Sequence, residues 1–216
     1  MTDFGTARDS LGIMAGTGFS ETGIHHTTFQ VEKWDVDQID WTRKRASWDR
    51  IFNPADEPDQ FWFNEYHVPP FETYIHEGNQ FVLDTGWVMM MNGIAGSAVT
   101  KFSATVGRIG LGTSATAVTH ADTALNAIGA LTVHNWELVS GAPTVGGTGA
   151  AGIIFSATFP TGDANNVAIQ EFGVDAGTAA ALTVTPTAVF FEHGNATPGT
   201  KTSAQTWNAT VTITWA

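Results

Sequence analysis

The sequence contains no cysteine, so disulfides, thiolate metal sites and cysteine nucleophiles are excluded. Charged residues are also scarce, at 14% of the 216 residues against about 25% in a typical soluble domain. Basic residues are the rarest of them, with nine Lys and Arg against 21 Asp and Glu and a net charge of −12. Proteins that bind duplex nucleic acid or an anionic membrane need a basic surface, so we expect neither partner.

Several motifs that would indicate an enzyme or a membrane protein are missing as well. There is no His-Glu-x-x-His and no Gly-x-Ser-x-Gly pattern, and the glycines from Gly107 to Gly112 have neither nucleotide-binding spacing. The apolar runs are far shorter than the ~20 residues that span a bilayer. The first residues lack a basic stretch followed by an apolar core, so no signal peptide is expected. We therefore expect no enzymatic activity, no metal and no cofactor.

Two groups of oxygen and nitrogen ligands leave a metal site open as an alternative. Glu65 and His67 would face the same way in an extended chain, although polar side chains along an exposed segment are the commoner interpretation. Asp163, Asn165 and Asn166 carry calcium-type ligands but lack the spacing of the helix-loop-helix calcium site. A turn is the favoured interpretation of these three residues.

The distribution of charge and proline divides the chain into an arm and a domain. Residues 1–50 hold six of the nine basic residues, whereas residues 51–216 hold only three against thirteen acidic ones. Four prolines between residues 52 and 74 exclude a regular helix there, and six aromatic residues from Phe61 to Tyr74 are too apolar for a free linker. We predict an extended, partly helical N-terminal arm over residues 1–72 and a β domain over residues 73–216.

Three tryptophans spaced by seven residues mark the arm, namely Trp34, Trp41 and Trp48. In a helix this spacing places the three indoles on one face, and a helix of roughly Asp37 to Ile51 is expected, with an extended arm with aromatic anchors as the alternative. The stripe either packs on its own domain or anchors in a neighbouring subunit, and we favour the second because Trp and Arg are enriched in interfaces. The residues expected at a subunit interface are Trp34, Trp41, Arg43, Arg45, Trp48, Phe52, Phe61, Trp62, Phe63 and Tyr66.

Alternation of apolar and polar residues predicts strands from about residue 100 onward. The clearest run is Trp207 to Trp215, in which five apolar residues alternate with Asn and Thr. Weaker runs lie at Phe102 to Val106, Val167 to Val174 and Thr183 to Val189, with glycine-rich turns between them. A short helix is expected over residues 120–128. The pattern predicts a mainly β fold, an antiparallel β-sandwich of the jelly-roll or Ig-like kind.

Six short elements follow one another between residues 74 and 216. They are Glu77-Gly-Asn79, Asp84-Thr-Gly86, Ile109-Gly-Leu-Gly-Thr-Ser-Ala-Thr-Ala117, Asp122-Thr-Ala-Leu125, Ile169-Gln-Glu171-Phe-Gly173 and Lys201-Thr-Ser203. In this order they resemble a β-rich structural protein module of tailed bacteriophages, found in decoration, tail and fibre-type proteins. The resemblance implies a β-sandwich that belongs to the virion and contributes no catalytic residues. Residues 1–73 have no such resemblance.

The resemblance and the arm together lead to one functional expectation. We expect a capsid decoration or cement protein that is assembled in the host bacterial cytoplasm and clamps neighbouring copies of the major capsid protein through its arm. It would form a homo-oligomer, with a trimer favoured. One alternative is a tail, baseplate or collar protein. Another is a host-receptor or glycan-binding module, in which exposed indoles such as Trp87 or Trp136 stack on sugars.

Overall fold

The computed structural model describes residues 25–38, 69–78, 80–127, 134–146, 151–182 and 189–215. These residues form ten strands and one helix of eleven residues, α1 (Asp84–Ile94). The strands are β1 (His25–Asp35), β2 (Glu72–Glu77), β3 (Gln80–Val82), β4 (Arg108–Gly112), β5 (Trp136–Leu138), β6 (Thr144–Val145), β7 (Ala151–Phe159), β8 (Ala168–Asp175), β9 (Phe190–Thr200) and β10 (Gln205–Trp215). The mainly β character that the sequence predicts is confirmed.

The strands form two five-stranded antiparallel sheets. Sheet I has the order β2-β1-β10-β7-β6, and sheet II has the order β3-β9-β8-β4-β5. Both β7–β8 and β9–β10 connections cross from one sheet to the other, so chain neighbours are often in different sheets. The two sheets face each other across one apolar cluster to which both contribute. At its centre the ring of Phe29 from sheet I stacks on Phe172 from sheet II, with 4.2 Å between centroids.

The last strand follows the sequence pattern residue by residue. From Trp207 to Ile213 the apolar positions are buried and the Asn and Thr positions between them are partly exposed. β10 pairs with β1 on one side and β7 on the other, which places it at the centre of sheet I. The predicted run near Val167 is also confirmed, as β8.

The first strand shows that the arm prediction is wrong for His25–Asp35. This strand lies between β2 and β10 and pairs with all eleven residues of β10, so it belongs to the sheet. Its inward positions include the buried Thr27 and Lys33 beside Phe29 and Val31. Because Thr27 and Lys33 are polar, the sequence of this strand does not show the usual alternation of apolar and polar residues. The partners that allow these two side chains to be buried lie far along the chain.

The partners of these residues explain how polar side chains are buried in a central strand. The Thr27 hydroxyl donates to Glu192 Oε1 at 2.9 Å, and the Lys33 ammonium donates to Glu72 Oε1 at 2.6 Å and to the carbonyl of Pro198. The Lys33 ammonium also lies 5.0 Å from the centre of the Trp207 ring. Buried polar groups are tolerated when they are hydrogen-bonded in this way.

Two further sequence expectations are wrong, and two lie outside the described residues. Ser103 and Val106 bridge across a tight turn, so the run from Phe102 is not a strand. Residues 120–127 form a turn followed by irregular structure where a helix was expected. The run 183–188 and most of the predicted helix from Asp37 lie outside the described residues, although residues 36–38 are helical.

Helix α1 packs on β9 through a glycine. A Cβ on Gly86 would lie 2.6 Å from the Phe191 carbonyl oxygen, so only glycine allows the helix to approach the strand this closely. Asp84 in the first turn stabilises the helix because its negative charge lies at the positive end of the helix dipole. Gly96, with φ of 76°, follows the end of the helix. Among the described residues, no helix has the length and apolarity needed to cross a membrane.

Candidate functional site

Nine of the ten residues expected at a subunit interface lie between residues 39 and 68, outside the described residues. The described residues on either side, Gln38 and Pro69, meet: the Gln38 side-chain amide donates to the Pro69 carbonyl at 3.4 Å. The two described residues that flank the segment therefore lie close together, where β1 ends and the chain leads into β2. We call residues 39–68 the excursion.

Trp34 is the one predicted interface residue that the structure describes. It lies in β1 and is only 3% exposed, so its side chain is buried within this chain. A single stripe of Trp34, Trp41 and Trp48 would need all three residues in one helix, and Trp34 is in a strand. Its place in a buried strand favours the alternative in which this indole packs on its own domain.

Polar residues of three resemblance elements meet on the face of sheet II that is turned away from sheet I. Side chains alternate along β8, so Phe172 and Val174 point to the shared core while Glu171 and Asp175 point to the opposite face. The loop over residues 113–127 covers part of this face. We call the buried polar side chains on this face, together with their partners, the outer layer.

Glu171 is the centre of the outer layer. Its carboxylate is fully buried and accepts from the backbone amides of Ser114 at 3.2 Å, Asn126 at 2.9 Å and Ala127 at 2.8 Å. His193 Nε2 lies 2.9 Å from its Oε2. One side chain of β8 thus fixes both ends of the loop to the sheet, since a buried carboxylate needs several donors.

Asp122 holds the other side of the same histidine. His193 Nδ1 lies 2.7 Å from Asp122 Oδ2, so each ring nitrogen is within hydrogen-bonding distance of a different carboxyl group. Burial raises the pKa of Asp122, but hydrogen bonds from the hydroxyl and amide of Thr119 and from His193 outweigh it, so the pKa lies below its usual value. His193 therefore joins Asp122 of the loop to Glu171 of β8.

The glycines of the resemblance elements make room for these contacts. A Cβ on Gly112 would lie 2.5 Å from the Ala127 carbonyl oxygen, and one on Gly110 would lie 2.6 Å from the Trp136 ring. Real Cβ atoms do not approach other atoms this closely. These two positions of β4 therefore require glycine, because the loop packs directly on the strand at Gly112 and the Trp136 ring does so at Gly110.

A buried ion pair occupies the other end of the outer layer. Arg108 donates to Asp175 through Nε at 2.8 Å and through a terminal nitrogen at 2.5 Å, and both side chains are buried. The second terminal nitrogen donates to the Ala179 carbonyl at 3.0 Å, and Asp175 also accepts from the Gly177 amide at 2.9 Å. The guanidinium lies 5.0 Å from the Trp136 ring centre. The pair is bidentate and its remaining hydrogen-bonding groups have partners.

A third charged cluster lies where β7 leads into β8. Ligand atoms of His134, Glu137 and Asp163 all lie within 4.8 Å of one another, which makes them the residues that could hold a metal ion in the described part of the chain. Lys201, from the Lys-Thr-Ser element, is fully buried beside them. Its ammonium supplies positive charge to the two carboxylates, so the cluster has an internal cation.

The lysine is fixed by the turn that the sequence predicted at Asp163. Lys201 Nζ donates to the Pro160 carbonyl at 2.6 Å and to Asn165 Oδ1 at 2.9 Å. Burial lowers the pKa of Lys201 to about 8, against the effect of the neighbouring carboxylates. Burial and the adjacent Asp163 carboxylate raise the pKa of Glu137 to about 8. At neutral pH the folded protein therefore keeps Glu137 protonated.

Replacing Glu137 by glutamine tests this protonation through the pH dependence of stability. Because the pKa of Glu137 rises from 4.5 to about 8 on folding, its contribution is complete below pH 4.5 and is lost as the pH rises through about 8. We expect wild type to lose about 1–3 kcal/mol more than Glu137→Gln between pH 5 and pH 8. Urea unfolding at pH 5, 6.5 and 8 measures this difference, and parallel pH profiles of the two proteins would contradict it.

One of the two tryptophans that the glycan-binding alternative requires, Trp136, is not accessible to a ligand. Trp136 is 0% exposed and packs edge-on against Phe190, so it has no face available for a sugar. Trp87, in α1, is partly buried against the main apolar cluster. The exposed apolar side chains of α1 are instead Val88, Met91 and Ile94, which the sequence analysis did not assign to any element or site.

Comparisons of the chain with protein-family models, curated proteins and solved structures found no match. The family resemblance therefore remains an interpretation of the short sequence elements. The structure shows where those elements lie and which of their atoms are in contact.

Proposed function

We propose that this chain is a non-enzymatic structural protein of a tailed-phage virion, and specifically a capsid decoration or cement protein. In this proposal the two sheets form a jelly-roll or Ig-like sandwich that sits on the capsid exterior. The excursion, residues 39–68, clamps neighbouring copies of the major capsid protein, and the chain itself assembles as a trimer.

The observation that carries the proposal is the meeting of separate resemblance elements in the outer layer. Gly112, Asp122 and Glu171 belong to three different elements, and all three contribute to the contacts that hold one loop on sheet II. Short motifs that together hold one loop in place have a role in the fold. This supports the interpretation that the resemblance is to a structural module.

The first part of the excursion is locally basic, which supports a role in the clamp, and its second part, residues 51–68, holds four acidic and no basic residues. Residues 39–50 carry four cations and two anions, whereas the chain as a whole has a net charge of −12. Aromatic and arginine side chains in one segment are typical of interface hot spots, and Trp41, Arg43 and Trp48 are such residues. Gln38 and Pro69, the described residues on either side of the excursion, are hydrogen-bonded to each other at the end of β1.

Quantitative mass spectrometry of purified virions tests this assignment. A decoration protein is expected in a copy number comparable with that of the major capsid protein, because it repeats over the capsid lattice. A few copies per particle would instead indicate the tail, baseplate or collar. Absence of the chain from purified particles would contradict the proposal.

A further inference from the structure

Helix α1 exposes an apolar ridge. Val88, Met91 and Ile94 are 59%, 51% and 79% exposed, and their spacing of three residues places them along one side of the helix. An exposed apolar stripe on a helix that already packs on β9 through Gly86 is not needed for the fold of the single chain. Contiguous exposed apolar surface of this kind marks an interaction site.

An apolar groove runs beside the ridge. It has a volume of about 450 Å³ and lies between α1, the segment after the helix and the residue that precedes β9. Its apolar lining includes Val88, Met89, Val99 and Val189, and Asp84 is the one charged residue in the lining. The ridge and the groove share Val88, so they form one continuous surface, which we call the α1 surface.

We propose that the α1 surface is the contact between copies of this chain, with the ridge of one copy packed in the groove of the next. The partner is identified by charge. Residues 85–100 contain no charged side chain, although the chain carries a net charge of −12. Two acidic molecules repel each other over most of their surfaces, and an apolar face with a single charged residue, Asp84, is where they can approach closely.

The arrangement of ridge and groove also suits identical partners. Each copy offers one of each, so a contact of ridge with groove leaves a free ridge on one copy and a free groove on the other. Such head-to-tail contacts close into a ring when the rotation between copies allows it. Three α1 helices around a threefold axis would bury every ridge and groove. This inference rests on the proposed assembly role, and it specifies the surface that performs it.

The test compares two aliphatic residues of equal exposure in the full-length chain. Ile94 on the ridge and Val145 in β6 of sheet I are both 79% exposed. We expect wild type to sediment at a multiple of 23.0 kDa, Val145→Asp to behave like it, and Ile94→Asp to need a concentration at least roughly tenfold higher to assemble. A wild-type monomer at about 100 µM, or unchanged assembly of Ile94→Asp, would overturn the proposal.

Cross-linking keeps the proposal testable if the charged variant fails to fold. The chain has no cysteine, so Ile94→Cys and Val145→Cys each introduce a single thiol. A short bismaleimide should link copies of Ile94→Cys into covalent dimers on a denaturing gel and leave Val145→Cys unlinked. Equal linking of the two variants, or none in either, would contradict the proposal. Both experiments use the isolated chain, so their outcome is independent of whether the chain is found in virions.

Discussion

Replacing Glu171 by alanine is expected to lower the free energy of unfolding by about 3–5 kcal/mol at pH 7. The variant loses the acceptor of three backbone amides from the loop over residues 113–127. It also leaves the buried, doubly hydrogen-bonded His193 with one carboxylate in place of two. Buried amides and a buried imidazole that lose their hydrogen-bond partner are among the costliest local defects. Urea unfolding followed by tryptophan fluorescence measures the change.

A surface glutamate provides the matched control for this prediction. The Glu77 side chain is 61% exposed at the end of β2, so Glu77→Ala is expected to change stability by no more than about 0.5 kcal/mol. Glu171→Gln should be intermediate, because it keeps an acceptor for the amides and loses the charge that faces His193. If the free energy of unfolding of Glu171→Ala is within about 1 kcal/mol of the wild-type value, the outer layer does not hold the loop as described.

Replacing Arg108 by methionine is expected to have a similarly large effect, about 3–5 kcal/mol. Asp175 would then be a carboxyl group with no exposed surface and no guanidinium partner, left with only the Gly177 amide as a donor among its described contacts. The cost arises from the remaining charge more than from the lost bond. The double variant Arg108→Met with Asp175→Asn should therefore regain stability relative to Arg108→Met alone.

The double-mutant comparison distinguishes this mechanism from simple loss of packing. Arg108 also covers the Trp136 ring, and methionine keeps much of that apolar contact. The control is Lys101→Met, which removes an exposed cation and is expected to be nearly neutral. A double variant no more stable than Arg108→Met would show that the buried charge of Asp175 is not the main cost.

The contrast between β10 and β1 shows what the sequence predicts well and what it does not. β10 alternates strictly from Trp207 to Trp215 and is found as predicted. β1 was missed because Thr27 and Lys33 point inward and are satisfied by Glu192 and Pro198, each 165 residues away. A local sequence pattern cannot identify such a distant hydrogen-bond partner, because the two residues become neighbours only when the two sheets pack together.

The outer layer shows the same limit for the candidate site. The resemblance elements already contained Gly112, Asp122 and Glu171, but His193, which joins two of them, had no sequence signal of its own. A histidine between two carboxylates is recognisable only from the register of β8 and β9, which pairs Gly173 with His193. Helix α1 was missed for another reason, since its run of Trp, Val and Met lacks the polar face that marks an amphipathic helix.

The central claim, that this chain is a structural part of a virion and decorates its capsid, is tested most directly by cryo-electron microscopy of the native particle. We expect repeated density for the two-sheet domain over the outer face of the capsid shell, with residues 39–68 running between capsid subunits. The α1 helices of neighbouring copies should meet at the contact between domains. A capsid shell without this domain would contradict the decoration role, and density confined to the tail would move the chain to that structure.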